Sequence, residues 1–220
     1  MPLAGPSAQA IAVYAEPSSA ERGIADLLRP ARDPGVEGVA CVDDAARAIV
    51  RYCELWARHH DSSAQASACN LLRFLGYMQD EDGRFANFIL DWTGRKNLTG
   101  STSFPGGPQW QARVLHALAS GVATFAGDEW EERFNRGLRW VDPAMPYMDV
   151  RAVCVLAALK HWQATGSVLS AERSVAWSSQ IAGARDGDHP PMGPLAGDRL
   201  GRDGPSSVPS RTGGERTGQR

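Results

Sequence analysis

Two adjacent carboxylates, Asp43 and Asp44, open the most strongly patterned stretch of the sequence. Paired carboxyl groups are what proton transfer at a glycosidic bond requires, one acting as acid and the other as base or nucleophile. One of the two could serve as general acid or base, its pKa tuned by its neighbour and by burial. The same residues also fit a structural role. Asp43 then caps a helix N-terminus and Asp44 is a first-turn acid favoured by the helix dipole, worth about 0.3–1 kcal/mol. Adjacent helical positions point about 100° apart, so the two cannot be aimed alike at one bond. A hydrolytic pair needs a second carboxylate from elsewhere, and Glu37, Asp91 and Asp149 are the candidates.

Aromatic faces would be the other half of a sugar site, because they offer large apolar surfaces to C–H-rich rings. Trp92, Phe104, Trp110 and Tyr147 are the candidate platforms. Trp92 stands beside Asp91 in a loop, whereas Trp110 fits a core position equally well. Gln109 and Gln111 could bond hydroxyls or be polar residues at a helix start. Arg47, Arg113 and Arg151 could hold an acidic sugar or pair with the carboxylates. His116 lies among apolar residues in mid-helix and reads as a satisfied core histidine. His59 and His60 suit a helix C-terminus. No histidine stands at i, i+4 from another ligand, so neither a metal site nor a cofactor is expected. Gly106 and Gly107 precede a helix but match neither phosphate-loop fingerprint.

The elements that must position these groups are helices. In 43–59 the polar residues Asp44, Arg47, Arg51, Glu54 and Arg58 recur at spacings of 3 and 4, with apolar or small residues between. A narrow polar stripe on an apolar helix means burial on most sides. The next helix, 64–79, is ordinarily amphipathic. The alternation repeats: 108–125 is mostly apolar and begins with Pro108, suited to a first turn, while 129–141 is amphipathic. Residues 148–162 include the unbroken apolar run 152–159, which predicts burial all round, and an amphipathic helix starts at Ser170, a plausible N-cap. Buried and half-buried helices in turn are the pattern of concentric rings, an α/α toroid. Its inner helices would share one end, where Glu37, Asp43, Asp44, Phe104, Gln109, Trp110, Tyr147 and Asp149 gather. The long loop 80–107, rich in glycine and aromatic residues, would enter that end; loops of such length in compact domains are usually functional.

The sequence divides into an irregular segment 1–36, with a short strand at 11–14 and a short helix at 20–28, then a helical domain 37–182, then 183–220. The last part is dominated by Gly, Pro, Arg, Asp and Ser and is expected to be disordered. Its abrupt change of character suggests a truncated toroid ending in a frameshifted or artificial tail. Across the 220 residues 43% are hydrophobic, enough for a core, and the net charge of −2 gives no pull toward nucleic acid. No run reaches the roughly 20 apolar residues that span a bilayer, and no secretory signal opens the sequence, so a cytoplasmic protein without membrane contact is expected. The four cysteines lack metal-ligand spacing and read as reduced and structural.

Two stretches resemble the six-hairpin glycosidase-like superfamily. The first runs from Gly38 to Ala48 (GVACVDDAARA), and the second is DGRFANF at 82–88 followed, after a loop, by WQAR at 110–113. The resemblance covers about three of six hairpins. It implies an (α/α) toroid with a funnel, and a carbohydrate as partner. The activity expected is glycoside hydrolase-like carboxylate chemistry; a sugar isomerase or epimerase, a non-catalytic glycan-binding module and an inactive fragment are the alternatives. An incomplete ring would also leave inner-helix surface free for self-association.

Overall fold

The computed structural model describes residues 1–3, 8–17, 28–31, 35, 37–125, 127–142 and 144–184. Expected disorder over 183–220 falls outside these residues from 185 onward, as does the helix expected at 20–28 except for its last residue.

Among the described residues six helices form three hairpins: α1 (Val42–His59) with α2 (Ser62–Met78), α3 (Pro108–Thr124) with α4 (Asp128–Leu138), and α5 (Met148–Thr165) with α6 (Val168–Ala182). α3 packs against α1 on one flank and α5 on the other, so α1, α3 and α5 make one row and their partners a second. The expected alternation of buried and half-buried helices holds for α3 against α4 but not in the first hairpin, where α1 buries fewer residues than its partner α2. Ile49, Leu72, Phe74, Leu115, Leu118 and Phe134 fill the space between rows, each fully buried.

Four short strands stand among the described residues as well. β1 (Ala15–Pro17) pairs antiparallel with β2 (Leu28–Pro30), and β3 (Ala40–Cys41) with β4 (Phe88–Ile89). The strand expected at 11–14 is reduced to a single bridge, Ala12 to Ala40. The long loop 80–107 carries β4 and is tied down by its own hydrogen bonds. Gly83 lets it approach α4: its φ is +101°, and a Cβ there would sit 2.4 Å from the Arg136 carbonyl oxygen.

Three expectations about helices are corrected. α1 is not capped by Asp43; its N-cap is Cys41, whose Sγ accepts from the Asp44 amide at 3.4 Å. α6 starts earlier than expected and is capped by Ser167, while the Ser170 hydroxyl lies 2.8 Å from His161 Nδ1. α5 is not buried all round. Ala152 and Leu156 face solvent, with Leu156 52% exposed; among the described residues α3 covers one flank of α5 and no row helix covers the other. No helix among the described residues is long and apolar enough to cross a membrane.

Candidate functional site

The first turn of α1 has three backbone N–H groups to satisfy. Val42 N–H donates to the Asn87 carbonyl at 2.8 Å, Asp43 N–H to Asn87 Oδ1 at 3.3 Å, and Asp44 N–H to Cys41 Sγ. Asn87 is fixed in turn by donating from Nδ2 to the Thr102 carbonyl at 2.9 Å. A thiol and a loop amide thus do the capping, which leaves both aspartate side chains for other partners.

Asp43 uses its own for ion pairs. Arg113, about one and a half turns into α3, places Nη1 2.6 Å from both carboxylate oxygens, and Arg47 Nη2 donates to Oδ2 at 2.9 Å. Asp44 is more open, its side chain 41% exposed, with Arg47 Nη1 3.7 Å away. Beneath this cluster lies a pocket of about 170 Å³ between the row helices, lined by Ala46, Arg47 and Val50 of α1, Arg113 and His116 of α3, and Val153 of α5. His116 therefore borders a pocket instead of being a bonded core residue. Burial lowers its pKa, and nearby Lys160 adds to the effect.

The remaining expected site residues are scattered. Trp110 is buried and donates from Nε1 to the Phe85 carbonyl at 2.8 Å, a core role; Phe104 meets its ring edge-on at 5.1 Å and is itself exposed. Trp92 donates to the Ala31 carbonyl at 3.0 Å and packs on the core, pinning the N-terminal segment. Asp91 closes its own turn with Thr93 and Arg95. Glu37 offers its carbonyl to Asn97 Nδ2 at 2.8 Å. Gln109 is half-buried and Asp149 is exposed in the first turn of α5. No hydrogen bond or ion pair joins Glu37, Asp91 or Asp149 to Asp43 or Asp44. Tyr147 sits at the start of α5, beside a second pocket.

That second pocket, also about 170 Å³, lies between the N-terminus of α3 and the loop from α4 to α5. Trp140, Asp142, Met145 and Tyr147 form one side, with Pro108 and Gln111 opposite. Gln111 is buried and spent on structure: Oε1 accepts from the Phe85 amide, and Nε2 donates to the carbonyls of Gly83 and Gly137. Trp140 and Asp142 were not singled out from sequence. The amphipathic pattern continues through Val141 and places Trp140 inside α4, but the helix ends at Leu138.

Arg151 does not join the carboxylates either; it is buried and donates to the Met145 carbonyl, bracing that loop. All four cysteines are free. Burial pushes the thiol of Cys53 up to about 11 and that of Cys154 up to about 12. Among the described residues no three His, Cys, Asp or Glu side chains cluster closely enough to hold a metal ion. No protein-family model matches the chain, and no curated protein matches it.

Proposed function

We propose that the chain is a carbohydrate-active domain of the α/α-toroid kind, glycoside hydrolase-like, which takes its sugar at the N-terminal ends of α1, α3 and α5. One observation carries this reading. Three hairpins bring Asp43, Asp44, Arg47 and Arg113 together at one end of the row α1, α3 and α5, beside a pocket that Arg47 and Arg113 line. Asp44 is the acid or base in this scheme, since its carboxylate is open to a ligand. Asp43 is a positioning residue: held by Arg113 and Arg47, it fixes the first turn of α1 on which Asp44 stands.

A second reading, binding of a glycan without turnover, draws support from the carboxylate geometry. Asp43 is occupied by two arginines, and none of the other candidate carboxylates is bonded into the cluster. Product analysis on end-labelled oligosaccharides separates the two. Hydrolysis predicts new reducing ends from the wild type and a loss of about a hundredfold or more in Asp44→Asn. Equal turnover by Asp44→Asn would remove Asp44 from the chemistry. Binding without turnover would favour the second reading.

A further inference from the structure

Trp140 is 46% exposed, yet its indole makes both a hydrogen bond and a cation–π contact. Its Nε1 donates to the Asp82 carbonyl. The Arg84 guanidinium lies over its ring, 4.6 Å from the centroid, and is itself fixed by Asp82 at 2.7 Å. Room for the Arg84 stem comes from Gly106, whose φ is +89° and where a Cβ would stand 2.9 Å from Arg84 Cδ. The backbone is anchored on either side of the pocket wall by Val141 and Met145, both buried. Fixed at the rim of a cavity and 46% exposed, the ring offers an apolar face to a ligand.

The pocket that it borders has room for one six-membered ring; a cavity of about 150 Å³ holds benzene. Its walls combine apolar surface from Pro108, Met145 and Trp140 with two polar groups that still have bonding capacity. Asp142 Oδ1 accepts from the Ala144 amide at 2.8 Å, and among the described residues neither Asp142 Oδ2 nor the Tyr147 hydroxyl has a hydrogen-bond partner. An aromatic face, a carboxylate acceptor and a phenol match a ring with one C–H face and an equatorial rim of hydroxyls. No cationic side chain is among those lining the pocket, and the Arg84 guanidinium over the Trp140 ring is already paired with the Asp82 carboxylate.

We infer that this pocket is a subsite for a neutral pyranose unit, with Trp140 as stacking platform and Asp142 and Tyr147 bonding its hydroxyls. The assignment rests on the carbohydrate reading above and adds the ligand class: a glycan with an uncharged sugar. Trp140 contributes through ring contact, so Trp140→Phe retains most of the binding, whereas Trp140→Ala weakens it about tenfold or more. Asp142→Asn and Tyr147→Phe each weaken it severalfold without touching the core.

The test is titration of the whole chain with neutral malto-, cello- and manno-oligosaccharides. It is read by calorimetry and by the Trp140 indole N–H resonance, assigned through its disappearance in Trp140→Phe. The inference expects that resonance to shift on saturation and the affinity to fall in Trp140→Ala but not in Trp162→Ala, a comparably exposed ring outside the pocket. A sugar that binds wild type and Trp140→Ala alike, leaving the indole resonance in place, overturns the subsite and spares the carbohydrate reading. No binding by any of these sugars overturns the subsite; if acidic oligosaccharides also fail, the carbohydrate reading falls with it.

Discussion

Arg113 of α3 reaches across to Asp43 of α1 and sets one Nη1 2.6 Å from both carboxylate oxygens. This pair, with the Asp43 side chain 18% exposed, ties the first turn of one row helix to its neighbour. Arg113→Gln is expected to cost about 1–2 kcal/mol, between the values for exposed and buried pairs. A double-mutant cycle with Asp43→Asn, followed by denaturant unfolding, measures the coupling directly. Additive losses would mean that the pair contributes nothing.

Gln111 supplies a sharper contrast with Gln109, two residues earlier. Replacing Gln111 by Leu strands the Phe85 amide and deprives two carbonyls of a donor, at a cost of roughly 3 kcal/mol. Gln109→Ala removes no protein hydrogen bond and should change stability by less than about 0.5 kcal/mol. Both are read from urea midpoints.

His161 makes stability fall with acidity. Burial holds its imidazole below the ordinary 6.5, and the Glu131 carboxylate at 3.9 Å only partly opposes this. The folded protein then binds this proton less readily than the unfolded chain. Stability is full above about pH 6.5 and declines below it. His116 is shifted in the same direction by burial. Unfolding measured from pH 7.5 to 5.5 should show this decline, with a shallower slope in His161→Gln.

Helix existence was legible from apolar spacing, but the depth of burial was not: the narrow polar stripe of α1 predicts burial on most sides, yet α1 buries only Val42, Ala45, Ala46, Ile49 and Cys53 and leaves Leu55 42% exposed. What lay beyond local pattern was supplied by distant residues. Asn87 and Cys41 took the capping role that the sequence offered to Asp43, and only tertiary contact could reveal that. Trp92 looked like a loop platform but spends its indole on Ala31. Trp140 looked like a helical residue, yet α4 stops at Leu138 and frees it to face a pocket. Leu156 sits in a run with no polar break, and periodicity cannot say which flank of such a helix a neighbour covers.

That last point is testable. Leu118 is fully buried between the rows and Leu156 is half exposed. Leu118→Ala should cost about 2–5 kcal/mol and Leu156→Ala well under 1 kcal/mol. Equal losses in thermal melts would contradict the packing described.

The central claim is that this domain holds a carbohydrate, and a thermal melt of the 220-residue chain against a panel of neutral and acidic mono- and oligosaccharides tests it most directly. A ligand of the native state raises Tm by mass action. The account predicts a cooperative transition that one sugar class shifts upward, with the shift retained in Asp44→Asn. A cooperative transition that no sugar moves would contradict it.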